Sequence, residues 1–212
     1  MALTKVIGSG TGDITKLQIL NGSNVNTAST DADDLIIEGP NDCGLSILSA
    51  TTGRIFFGDA SNDDAGSIRY VHSDDSMRFE ANDEEAMRIH SIGAVTKPLQ
   101  PAFSAGISST ISNIAKDSLQ TVTLDNEIYD VNGDFSSNTF TAPVTGKYQL
   151  SAVFYFNQID ASADYYILRI TTSNRSYDRV MNMAGRSDEN YSSYTISVLA
   201  DMDVNDTATI GT

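Results

Sequence analysis

The sequence predicts an all-β protein, and three observations carry that prediction. Short apolar runs alternate with period two through residues 67–89 and again through 148–156. Clusters of Asp, Asn, Ser and Gly separate the runs, as turns between strands would. No stretch carries a helical period beyond Ile107, Ile111 and Ile114, and that triplet sits in a Ser-rich segment that reads as a loop. The expected order is an N-terminal extended arm (1–43), a small β-meander module (44–92), a linker (93–101) and an antiparallel β-sandwich (102–212).

The arm has low hydrophobic density. Its two apolar stretches, Leu17-Gln-Ile-Leu20 and Leu35-Ile-Ile37, read as isolated strands bounded by Asn21-Gly22 and Gly39-Pro40. Such a segment cannot hold itself folded and is expected to order against a partner. The meander offers five runs, at 45–48, 54–57, 67–71, 77–80 and 86–89. Alternation puts Ile68, Tyr70, Met77, Phe79, Met87 and Ile89 on one face, and Arg69, Arg78, Glu80 and Arg88 on the other. About 45 residues with one oily side and no second layer cannot stand alone without disulfides or metals. The same face on other copies is the simplest cover, so these six residues are the expected trimer-facing set.

Residues 93–101, with Pro98 and Pro101 and no periodic pattern, read as the linker. Beyond it the strand expectations are 102–105, 120–124, 139–141, 148–156, 165–171, 194–200 and 208–210.

Net charge is −15 and the sequence pI is about 4.2, with the acidity spread along the chain. That surface repels phosphate backbones, so no nucleic-acid partner is expected. No apolar run approaches the ~20 residues of a membrane span, so membrane insertion is not expected either. The N-terminus lacks the apolar core of a signal peptide. Cys43 is the only cysteine, which excludes an intrachain disulfide and a cysteine-based metal cluster, as suits a chain folding in reducing cytoplasm.

Catalytic and metal constellations are not expected. His72-Ser-Asp-Asp-Ser76 contains the letters of a hydrolytic triad, but adjacent residues of one turn rarely reach that geometry, and a hairpin turn is the better reading. His72 and His90 are the only histidines and lack zinc spacing. Acidic loops at 59–64, 82–85 and 130–134 offer oxygen ligands of the kind calcium takes, yet none has EF-hand spacing and solvated turns are expected. No cofactor is expected, and the chain is not expected to be an enzyme.

One stretch is more specific. Phe103 opens the sandwich, and Asp130-Val-Asn-Gly133-Asp-Phe135 and Asn138-Thr-Phe140-Thr-Ala-Pro143-Val-Thr-Gly146-Lys-Tyr148 follow. These residues resemble the complement-type branch of the complement/tumour-necrosis-factor globular heads, through the pattern G-x-F … F-x-A-P-x-x-G-x-Y. The likeness covers roughly 102–212, and 194–210 is similar to the family's late strand and following turn. The physical reading agrees: Gly133 and Gly146 suit tight turns, Pro143 precedes a strand, and Phe135, Phe140 and Tyr148 suit a core. The resemblance implies a ten-strand jelly roll that trimerises and binds ligands through loops such as 173–177 and 186–191. Family members continue with a hairpin and a final aromatic-rich strand, whereas the sequence stops at Gly211-Thr212. Either a longer gene product or another copy would complete such a head.

A second resemblance precedes it. Arg54-Ile-Phe-Phe-Gly58-Asp, Gly66-Ser-Ile-Arg-Tyr70 to Phe79, and Met87-Arg-Ile-His-Ser are similar to a module of phage tail-fibre and appendage proteins. This resemblance implies a virion structural protein assembled in the host cytoplasm. Its arm (1–43) would meet other tail or capsid proteins, and its head a host-surface glycan or protein. A capsid decoration protein, an internal tail adaptor and a soluble lectin-like module are the alternatives.

Overall fold

The computed structural model describes residues 17–20, 31, 35–38, 41–114 and 118–212. The chain is all-β, with no helix among the described residues and sixteen strands in antiparallel sheets, one parallel pair excepted.

That pair is β1 (Leu17–Leu20) and β2 (Leu35–Glu38), in register from Leu17↔Leu35 to Leu20↔Glu38. The two apolar stretches of the arm therefore pair with each other instead of standing apart. Most of the rest of the arm lies outside the described residues.

The meander is β3 (Thr52–Phe57), β4 (Gly66–Val71), β5 (Ser76–Ala81), β6 (Glu84–Ile89) and β7 (Val95–Thr96), each paired to the next. Two expectations change here. Residues 45–48 have strand-like composition but no ladder partner, and they lie exposed. Val95 and Thr96, read from sequence as linker, pair with Ile89 and Arg88 and close the sheet. Local chemistry makes the turns. Residues 72–75 join β4 to β5, so His72-Ser-Asp-Asp-Ser76 is a hairpin turn. Asn82 and Asp83, with φ of 53° and 64°, form the two-residue turn of both-positive φ that matches strand twist, joining β5 to β6. Gly58 is forced by crowding: a Cβ there would stand 2.3 Å from the backbone of Asp63.

The sandwich follows as β8 (Ala102–Gly106), β9 (Asn126–Val131), β10 (Phe135–Ser136), β11 (Thr139–Thr141), β12 (Gly146–Ile159), β13 (Tyr165–Thr172), β14 (Ser176–Asn182), β15 (Glu189–Met202) and β16 (Thr207–Gly211). One layer is a five-stranded sheet of order β10-β11-β16-β13-β14. The other layer consists of two pairs, β12-β15 and β8-β9. The core joins the layers: Phe135, Phe140, Leu168, Ile170, Met181 and Ala208 from the first meet Leu150, Phe154, Ile196, Ala200 and Met202 from the second.

The strands read at 148–156 and 194–200 are longer than expected, because β12 and β15 stay paired from Gly146↔Met202 to Ile159↔Glu189. Residues 120–124 form no strand. Only Thr121 bridges to Gly211, with backbone bonds between Gln120 and Thr212 and from Val122 to Ile210. Residues 107–114 form the expected loop. Strands β9, β10 and β14 were not legible. The segments proposed as binding loops are shorter than expected: Ser176 and Tyr177 lie in β14, while Glu189 to Tyr191 begin β15. Only residues 173–175 and 183–188 lie between strands there.

Candidate subunit interfaces

Strand register sorts the meander's side chains onto its two faces. On one face Ile55, Ile68, Phe79 and Met87 form a straight apolar row across four strands, with Tyr70, Met77, Ile89 and Val95 in the next row. The six residues expected to face a partner thus share one side. None is buried; all six are half-covered. The flanking Ile55, Phe57 and Val95 are exposed.

The opposite face is ionic. Arg54, Arg69, Arg78 and Arg88 stand in register, each directly opposite the next. Like charges directly across strands repel, and three carboxylates offset them. Glu80 pairs with Arg69, Asp74 with Arg78 at 2.5 Å, and Glu85 with Arg88 at 2.6 Å. A bulge at Ala86 makes this possible. It shifts register so that Glu85 sits opposite Glu80, beside the arginine row. The Arg88 hydrogen bond holds the Glu85 carboxyl below its ordinary value, and the Ser76 hydroxyl does the same for Asp74, with Arg78 adding to it. The Nε of Arg69 is buried without a partner.

Every buried hydrophobic side chain among the described residues lies between Val122 and Ala208. From 41–101 only Ser67 and Ser76 are buried, both on the ionic face. Among the described residues the meander is a single layer whose oily side has no apolar core beneath it.

The sandwich presents a second uncovered surface. Facing away from the core, β12 and β15 set Gln149 beside Leu199, Ser151 beside Ser197, Val153 beside Thr195, Tyr155 beside Ser193 and Asn157 beside Tyr191. None of these side chains is charged, in a chain of net charge −15. Val153 is 71% exposed, Tyr155 66%, Tyr191 68% and Leu199 64%. Tyr155 and Tyr191 stack with centroids 6.1 Å apart, and Gln149 donates to Ser197 at 2.8 Å. These positions carry no charge and so do not repel their own copies. Sequence reading missed it as a surface, although the run of uncharged residues at alternate positions of 149–157 and 191–199 was available.

The residues that carry the complement-type pattern meet at one end of the sandwich. Phe103 stacks on Phe135 at 4.8 Å and on Phe140 at 5.2 Å, and Tyr148 tilts against Phe140 at 5.3 Å. The Tyr148 hydroxyl donates to the Val144 carbonyl at 2.6 Å, fixing the turn that contains Pro143. Gly133, at φ +72°, fills the left-handed turn position between β9 and β10. Gly146 does not need one: it opens β12, where a Cβ would meet only the Tyr148 ring edge at 3.7 Å.

No catalytic constellation accompanies these surfaces among the described residues. His72 packs edge-on to Tyr70, and His90 bonds Thr96 at 3.0 Å. In the acidic loops the carboxylates hold their own turns. Asp59 accepts from the backbone of Ser61 and Asn62, and Asp130 accepts from the backbone of Asp134 and Phe135. No group of three or more metal-ligating side chains comes together among the described residues. Two shallow cavities open on the sandwich. One, of about 270 Å³, is lined by Thr145 to Lys147, Asn174 and Asp201 to Asp203. The other, of about 470 Å³, lies between residues 100–103 and 144–150, with Phe140 at its base. Comparison with protein-family models and with curated proteins finds no match.

Proposed function

We propose that this protein is a homotrimeric structural component of a virus particle, a phage tail fibre or appendage whose sandwich head meets the host surface. The observation that carries the self-association is the pair of uncovered surfaces on one chain. One is the oily side of the meander, with nothing buried beneath it among the described residues; the other is the uncharged outer face of β12-β15. Elsewhere a chain of net charge −15 repels its own copies, so these two faces are where close contact costs least. A symmetric trimer buries both in the same assembly and presents three equal sets of head loops, which multiplies weak contacts with a surface ligand.

The viral setting is supported by the likeness of residues 54–91 to fibre modules and of 102–212 to complement-type heads. In this reading the arm (1–43) joins the head-bearing shaft to other tail or capsid proteins. The work is passive: rigid presentation and binding, with no bond made or broken. Sedimentation equilibrium of the purified chain at micromolar concentration tests the assembly, and a single species of monomer mass overturns it. Antibody labelling of intact particles tests the location. Label at the tail tip supports the fibre reading, while label spread over the capsid favours a decoration protein.

A further inference from the structure

The two layers of the sandwich are unequal, and the inequality has a place. One layer is a continuous sheet of five strands; the other is two pairs, β8-β9 and β12-β15, with no pairing between them. Strand β8 pairs on one side only, with β9, and β12 on one side only, with β15. The 470 Å³ cavity lies beside both strands, along Gln100 and Pro101 and the first two residues of β8, Ala102 and Phe103, on one side and residues 146–150 of β12 on the other. Its floor is oily: Phe103, Phe140, Tyr148 and Leu150, with Phe140 and Leu150 buried in the core beneath. Lys147 is the only charged residue that lines it. A groove with the free edge of β12 on one wall, the start of β8 and the residues leading into it on the other, and an apolar floor has the shape of a position for one more strand. A polypeptide in extended form is the ligand whose N–H and C=O groups repeat at the spacing of both walls.

The same chain contains a segment suited to it. Residues 44–49, Gly-Leu-Ser-Ile-Leu-Ser, have the composition of a strand, yet they lie unpaired. Leu45 is 62% exposed and Leu48 93%. Ile47 lies beside Gly53 of its own chain, near the start of β3, where a Cβ on the glycine would come within 3.3 Å of the Ile47 Cγ2. The segment is uncharged, so it can enter an apolar groove without desolvating an ion. Asp42 stands just before it, opposite in sign to Lys147 at the groove's rim.

We propose that the groove between β8 and β12 accepts residues 44–49 of a second copy as an added strand. Leu45 and Ile47 then lie over Phe103 and Tyr148, and Asp42 lies near Lys147. The source is a second copy because the chain's own segment stays outside its own groove. Strand β12 also borders both the groove and the uncharged face through which copies are proposed to meet. The inference rests on self-association but not on the viral setting.

The sole cysteine makes the test specific. In Lys147→Cys, native Cys43, which is exposed, faces a partner thiol across the proposed contact. After mild oxidation of the full-length protein, the expected result is disulfide-linked chains on a non-reducing gel. They are absent from Cys43→Ser/Lys147→Cys and in clear excess over wild type. An intrachain link that leaves the mass monomeric overturns the second-copy assignment.

Hydrogen exchange gives an independent measure. Those amides of residues 146–150 that point away from β15, to the free edge of β12, are expected to exchange at least tenfold faster in Leu45→Asp/Ile47→Asp than in wild type, both measured as assembled protein. Unchanged exchange in a variant that is still trimeric overturns strand addition while leaving the trimer standing. A wild-type chain that sediments as a monomer overturns both.

Discussion

Val153→Asp places a carboxylate at the centre of the uncharged face of β12-β15 without touching the core. Val153 is 71% exposed in the single chain, and its neighbours across the strand are Thr195 and the flanking Ser197 and Ser193. An exposed substitution of this kind changes the stability of the isolated sandwich by about 0.5 kcal/mol or less. In a trimer that buries the face, each copy loses the apolar contact of a mostly exposed valine, about 1 kcal/mol. Each copy also buries a carboxylate without a partner, which costs on the order of 2–5 kcal/mol. Taking about 3 kcal/mol per copy gives roughly 9 kcal/mol per trimer. Because the trimer–monomer midpoint varies as the square root of the assembly constant, the midpoint rises on the order of a thousandfold. Sedimentation equilibrium across a concentration series measures that shift, and circular dichroism establishes that the monomer remains folded. Val180→Asp is the control: Val180 is 59% exposed on β14, in the other layer, and its substitution is expected to leave the midpoint in place. A Val153→Asp protein that assembles like wild type, or a Val180→Asp protein that falls apart equally, refutes the assignment of this face.

Other outcomes are expected from the same geometry. Phe140→Ala removes the ring that Phe103 and Tyr148 lean on and is expected to cost about 3–5 kcal/mol, read as a lower midpoint in denaturant titration. Gly58→Ala pushes a methyl into the Asp63 backbone at 2.3 Å and is expected to destabilise the β3-β4 loop by about 1–3 kcal/mol, seen as faster exchange of residues 57–66. Glu85 and Asp74 have folded pKa values below their unfolded ones, through the Arg88 and Ser76 hydrogen bonds. Their contribution is therefore complete above the unfolded value of about 4 and is lost as pH falls through the lower folded values. Thermal melts of the wild type should hold level from neutral pH to about 4.5 and decline below, with a shallower decline in Glu85→Gln.

Much of the meander could be read in advance because a half-covered sheet writes its faces into the sequence with period two. Ile68 and Tyr70, Met77 and Phe79, Met87 and Ile89 alternate with arginines, and their row follows from that alternation alone. Residues 45–48 show where composition stops deciding structure. They have strand chemistry, but a strand exists only where a partner edge exists, and the chain supplies none there. The converse holds at Val95 and Thr96, whose surroundings of Gly and Pro hide a strand that β6 imposes. Strands β9 and β14 were hidden because Glu127, Asp130, Asp178 and Arg179 interrupt the apolar pattern. Such interruption is tolerable where one face meets solvent and Arg169 takes up Asp178 at 2.5 Å.

The two uncovered faces divide in the same manner. The oily face of the meander was legible, since its residues are large and regularly spaced. The β12-β15 face was not, because Ser, Thr, Gln and Asn carry no hydrophobic signal. What marks that surface is the lack of charge at the outward positions of 149–157 and 191–199, on two strands brought side by side. The pattern residues Phe103, Phe135, Phe140 and Tyr148 were legible as core-sized rings, while their ring contacts at 4.8–5.3 Å belong to packing.

By itself the sequence determined the all-β class, the alternation of the meander's faces and the turns between β3 and β6. These depend on residues near one another in the chain, where side-chain period and Asn, Asp and Gly backbone preferences act directly. Only the tertiary structure decided that β16 lies between β11 and β13, that four arginines share one row, and that the second layer is two pairs flanking a groove. Each of those facts joins residues far apart in sequence. Pairing across such distances is chosen by the packing of the whole core, which no local window contains.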